Sequence, residues 1–102
     1  MKRPETIRAG AITYRVKSTP METTFGECDM AKAVINIRSG LAEDVARETL
    51  LHETLHVVLA QAGASTLMPW DEESEERVVA CVTSWLLTVL RDNPDLAAYL
   101  LS

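Results

Sequence analysis

The only two histidines of the chain stand four residues apart with a glutamate between them, in His52-Glu53-Thr54-Leu55-His56. Side chains four apart on a helix lie one turn apart on the same face, so both imidazoles can reach one metal ion with Glu53 beside them. This is the H-E-x-x-H spacing of zinc sites. Zinc takes neutral imidazole nitrogens in a tetrahedral shell, and a catalytic site keeps one position open for water. The ion draws the pKa of that water toward neutrality, and a neighbouring carboxylate can take its proton and return it to a leaving amine. Glu53 stands where that general base is needed. The competing reading is a pair of surface histidines on an amphipathic helix with an accidental glutamate.

Such a site needs a third protein ligand, and the absence of a further histidine restricts it to an acid or a cysteine. Asp71, Glu72, Glu73, Glu75 and Glu76 crowd the start of a second helical pattern, in which Val78, Val79, Val82, Trp85, Leu86, Val89 and Leu90 recur. Acids at a helix N-terminus are favourable in themselves, with Asp71 as N-cap, and most of the five need no other role. A ligand must stand one turn before the residues facing its partner helix. Glu76 precedes Val79, Ala80 and Thr83, which are small enough for close approach, whereas Glu75 precedes the bulkier Val78, Val79 and Val82. Glu76 is therefore the expected ligand and Glu75 the alternative, with Glu72, Glu73 and Cys28 behind them.

The elements that must position these residues follow from local pattern. Residues 11–17 alternate apolar and polar like a half-buried strand that Pro20 closes, and residues 24–29 and 33–38 form two more strands around a turn at Met30-Ala31-Lys32. Ser39 or a neighbour is expected to cap the motif helix. From Val45 to Ala62 there is no Gly or Pro, Leu51, Leu55, Val58 and Ala62 form an apolar stripe, and Gly63 is a stop. A loop through Trp70 leads to the second helix, which Asp92-Asn93-Pro94 ends, and Pro94 opens a short third helix through Leu101. The expected fold is α+β: a small three-stranded antiparallel or mixed sheet, two long helices and a short C-terminal one.

At 102 residues the chain is expected to be one domain, residues 1–102. A net charge of −5 argues against a nucleic-acid surface. No apolar run follows Met1-Lys2-Arg3 and none approaches membrane-spanning length, so a soluble, cytoplasmic protein is expected. Two cysteines, Cys28 and Cys81, are too few for a disulfide framework and are expected to be free thiols. Tyr14 and Tyr99 are the candidate oxyanion donors, although a ring in the core with its hydroxyl at the surface is the simpler role for each. Met68 and Trp70, flanking Pro69, could form a docking surface, with packing on the core as the simpler reading.

A strand ending just before an H-E-x-x-H helix, with a glutamate on the next helix, resembles a minimal gluzincin. More narrowly, Gly26-Glu27-Cys28-Asp29, Ile35-Asn36-Ile37, Thr49-Leu50-Leu51 with the His-Glu pentad, and Leu90-Arg91-Asp92-Asn93-Pro94 are similar to small phage-encoded proteins related to the ImmA/IrrE metallopeptidases. The similarity spans residues 24–95 and only the pentad is specific. It implies Zn2+ on His52 and His56, a glutamate ligand on the following helix, Glu53 as general base, and the host cytoplasm as the setting. Where larger members carry an Ala-Asn pair and an aromatic after the ligand glutamate, this chain has Val79-Ala80 and Val82. The expected function is a zinc-dependent peptidase acting on a peptide or regulatory-protein substrate, laid along the exposed edge of strand 33–38. The alternative is a non-catalytic zinc-binding regulatory or interaction module.

Overall fold

Short runs of alternating residues early in the chain and long Gly-free runs later produce two layers, a sheet and a helical layer that covers one of its faces. The computed structural model describes residues 2–102. Its strands are β1 (Thr6–Ala9), β2 (Ile12–Thr19), β3 (Gly26–Asp29) and β4 (Val34–Arg38). Its helices are α1 (Glu43–Gln61), α2 (Ala64–Leu67), α3 (Glu72–Asp92) and α4 (Pro94–Leu100). The α+β arrangement is the one expected, with four strands instead of three. Strand β1 has only four residues, too few for their alternation to mark a strand, and it exists by antiparallel pairing with β2.

The sheet is mixed, in the order β1-β2-β4-β3. Strand β2 runs parallel to β4, and β3 is antiparallel to β4. The expectation that strand 33–38 offers a free edge is therefore wrong. Strand β4 is paired on both sides, and the edge on that side of the sheet is β3. Its burial fits a central strand, since Val34, Ile35 and Ile37 are all buried. The turn between β3 and β4 is held by the Lys32 N–H, which donates to Asp29 Oδ1 at 3.0 Å.

Helix α1 begins at Glu43 and takes no cap from Ser39. Its N-cap is Ala42, without a side-chain bond, and Glu43 and Asp44 supply favourable charge in the first turn. Ser39 is used elsewhere, its N–H donating to Thr19 O as the chain leaves the sheet. Gly63 ends the helix as expected, in a left-handed conformation (φ 72°) that needs no Cβ. The residues expected in the loop after it include the single turn of α2.

The face that α1 buries is also not the expected one. Ala46, Thr49, Glu53 and Val57 are buried, with Leu50 packed beside them. Leu51, Leu55, Val58 and Ala62 lie elsewhere around the helix, and Val58 is 46% exposed. Apolar residues occur on more than one side of α1, so periodicity alone offered two stripes and packing against the sheet selected the other. The core on that face joins Tyr14, Ile35, Ile37, Ala46 and Val57, with Ile7, Val16 and Leu50 around them. Tyr14 is buried in this core, where its hydroxyl accepts from Gln61 Nε2 at 2.9 Å.

Helix α3 starts as expected. Asp71 caps it by accepting the Ser74 N–H at 2.8 Å, a bond that holds the Asp71 carboxyl below its ordinary pKa. It packs on α1 through Val79 and Thr83, while Val78, Val82, Trp85 and Val89 stay exposed. Trp70 is half-buried and Met68 exposed. Among the described residues no helix is long and apolar enough to cross a membrane.

Strand β3 lies so close to α1 that a Cβ on Gly26 would sit 2.7 Å from Thr49 Cγ2 and 3.1 Å from Glu53 Cγ. Gly26→Ala must force the strand and helix apart, and is expected to cost about 1–3 kcal/mol, as overpacking of a tight contact does. A shift of the urea midpoint at unchanged slope measures it, and an unchanged midpoint would show that the two elements separate freely.

Candidate metal centre

Helix geometry splits α1 into adjacent lines of work. Each residue turns about 100° from its neighbour, so Glu53 and Val57 face the sheet while His52 and His56 turn aside toward α3. The two rings lie one turn apart, centroids 5.0 Å from each other and planes inclined at 62°. Helix α3 brings an acid to meet them. Glu76 Oε1 lies 2.6 Å from His52 Nε2, and Glu76 Oε2 lies 2.8 Å from His56 Nε2. Ligand atoms of His52, His56 and Glu76 all fall within 4.8 Å of one another.

The donor set fits a divalent ion of the kind zinc represents. Two imidazole nitrogens and one carboxylate from two helices converge on one place. Of the other acids considered, Glu73 pairs with Arg77 and Asp71 caps the helix. Glu72 lies exposed in the first turn of α3. Glu75 is also at the site, but on the other nitrogen of His56, with Oε2 at 3.2 Å from Nδ1. Of the residues expected to face the partner helix after Glu76, Val79 and Thr83 are buried and Ala80 is exposed.

Glu53 is 8% exposed and sits under β3, at the margin of the same cleft. Cys28 reaches it from the strand, its Sγ lying 3.3 Å from Glu53 Oε1 and 3.2 Å from Glu53 O, so the single S–H can donate to either. Cys28 is thus a neighbour of the carboxylate and is not gathered with the histidines. Burial, and then the negative charge of Glu53, push its thiol well above the ordinary cysteine pKa.

These residues line a cleft of about 950 Å³ between β3, α1 and the start of α3. One wall is β3 and the residues that flank it, with Phe25, Gly26 and Met30, and the floor is α1, with Val45, Thr49 and Ala60. Those floor positions share one helical face with His52 and His56, which could have been read from spacing; the strand wall could not. Glu48, also on the floor, accepts from Ser84 Oγ at 2.9 Å and ties α1 to α3 one turn before His52. Tyr99 lies exposed on α4 and is not part of the lining.

The mixed sheet, the motif helix and the glutamate on the next long helix together define an α+β, HExxH-type arrangement able to hold a metal ion, of minimal zincin-like form. Comparison with known proteins carries this no further: no family model, no curated protein and no solved structure matches the chain.

The two cysteines differ in a way that chemistry can read. A thiol held protonated and half-buried is a poor nucleophile, whereas Cys81 is exposed on α3. Brief iodoacetamide treatment of the native protein at neutral pH is expected to label Cys81 and spare Cys28, with both labelled in urea. Peptide mass spectrometry gives the sites, and equal labelling of both in the native protein would mean that Cys28 is not held against Glu53.

Proposed function

We propose that the protein is a zinc-dependent peptidase with His52, His56 and Glu76 as metal ligands and Glu53 as general base. The observation that carries this reading is the convergence of both imidazole Nε2 atoms on the Glu76 carboxylate, with a second carboxylate, Glu53, at the margin of the same cleft. A purely structural site has no use for that second carboxylate. Zinc bound there would supply a water of lowered pKa and polarise a substrate carbonyl.

The chain's own residues do the rest. Glu53 takes the proton of the attacking water and delivers it to the departing amine nitrogen. The Cys28 thiol, by donating to Oε1, fixes the carboxylate so that its other oxygen is left for that water. Strand β3 positions the substrate. Phe25 O accepts from Arg38 N, and antiparallel alternation then leaves the main-chain groups of Gly26 and Cys28 on the unpaired edge. An extended peptide pairing there would lie over the histidines, and because no strand among the described residues covers that edge, either a peptide or a segment of a regulatory protein suits it.

The test combines metal content with cleavage. Elemental analysis of the untagged protein is expected to give about one zinc per chain, lost in His52→Ala. Glu53→Gln is expected to keep the zinc and to lower cleavage by about 10²-fold or more, the usual size of a general-base contribution. Cleavage by Glu53→Gln at the wild-type rate would remove Glu53 from the role. A protein that holds zinc, produces no cleavage product and binds a partner equally well as Glu53→Gln would instead be a zinc-presenting interaction module.

A further inference from the structure

We propose that Glu75 is a positioning residue for His56: its carboxylate accepts the Nδ1–H of the ring and so presents an unprotonated Nε2 to the ion that Glu76 helps to hold. The inference rests on the metal-binding reading above and concerns which of two adjacent glutamates does what.

A neutral imidazole carries one proton on two nitrogens, and a nitrogen that binds a metal must be the bare one. The His56 nitrogen that faces Glu76 is Nε2, 2.8 Å from Oε2, so in a ring that binds an ion there the proton belongs on Nδ1. The acceptor facing Nδ1 is Glu75 Oε2, at 3.2 Å. The two glutamates thus hold opposite sides of one ring, as the 100° helical step between neighbours allows. Their surroundings differ accordingly. The Glu75 side chain is 24% exposed, drawn into the seam between α1 and α3 one turn before Val79, whereas that of Glu76 is 56% exposed and opens on the cleft. The more buried acid is the one that needs a fixed geometry, and the more exposed one is the one an ion must reach.

The arrangement is one-sided. Among the described residues His52 has a hydrogen-bond partner only at Nε2, so no carboxylate fixes its ring from behind. Carboxylates behind a ligating histidine set its tautomer, hold its plane and raise its basicity. In this protein that support goes to His56 alone, and Glu75 must act through His56 without touching the ion.

The experiment uses the full chain, zinc and a chromogenic chelator as competitor, with Glu75→Ala, Glu75→Gln and Glu76→Gln beside wild type. Glu75→Ala is expected to weaken zinc affinity by about 10- to 100-fold at an unchanged one ion per chain, the cost typical of losing a carboxylate behind a histidine ligand. Glu75→Gln keeps a carbonyl oxygen for Nδ1–H and should recover most of the loss, while Glu76→Gln should be the weakest of the three. A second readout separates positioning from mere stability. In the ¹⁵N-labelled, zinc-loaded protein the Nδ1 proton of His56 should be protected from exchange in wild type and Glu75→Gln, and unprotected in Glu75→Ala, with His52 unchanged. Wild-type affinity and unchanged protection in Glu75→Ala would overturn the proposal. So would an inverted order, with Glu75→Gln weaker than Glu76→Gln, which would make Glu75 the ligand. Failure of the wild type to take up zinc would remove the metal site itself and this inference with it, an outcome distinct from the other two.

Discussion

Everything at the site hangs on how α1 lies against the sheet. The helix must bury Ala46, Thr49 and Val57 on Ile35, Ile37 and Tyr14, and the same rotation that buries them carries His52 and His56 about one residue-step round toward α3. Any other rotation would satisfy the core less well or turn the imidazoles away from Glu76. Gly26 sets how close the two layers come, because the absent Cβ lets β3 rest directly on Thr49 and Glu53. Packing and candidate chemistry are therefore one constraint: the contact that closes the core also places the carboxylate of Glu53 beside an open strand edge.

Helix α3 has an easier task in packing and a harder one in placement. It needs only to meet α1 along Val79 and Thr83, with Glu48 and Ser84 tying the seam on its cleft side. Its first turn is fixed by the Asp71 cap, which decides where the helix starts and hence which face each glutamate presents. A start one residue later would put Glu76 in the surroundings of Glu75 and Arg77 in those of Glu76. The acids at this N-terminus are favourable for the helix whatever their position, so the macrodipole explains why they are numerous and the cap explains which one reaches the histidines.

The site was more legible in the sequence than the sheet that supports it. His52, Glu53 and His56 declare themselves by spacing, since a helix converts a four-residue interval into adjacency without help from the rest of the chain. Glu75 and Glu76 both stand about one turn before the buried Val79, so spacing marks the pair, and only the size of the residues that follow each favours Glu76. The sheet order could not be read, because strand neighbours are chosen by pairing across the chain and leave no local trace. Strand β1 is too short to show alternation, and nothing local to β4 marks it as the central strand that it is. On α1 the ambiguity has a different source. Leu51, Leu55 and Val58 are as apolar as the residues that are buried, and the small Ala46 and the polar Thr49 and Glu53 give the true face little hydrophobic contrast.

That low contrast is itself a consequence of carrying the site on the core helix. A helix that only covered a sheet would fill its inward line with large apolar residues, and the line would be plain in the sequence. Here the line holds Glu53, which must be near the cleft, and Thr49, whose hydroxyl donates back to Val45 O at 2.7 Å so that it can lie beneath Gly26 without an unpaired polar atom. The Cys28 thiol gives the buried carboxylate a donor from the sheet side, which a leucine at that position would not. The polar residues that blur the pattern of α1 are those standing between the sheet and the histidines, so the place where local pattern fails to predict burial is the place where the fold makes room for chemistry.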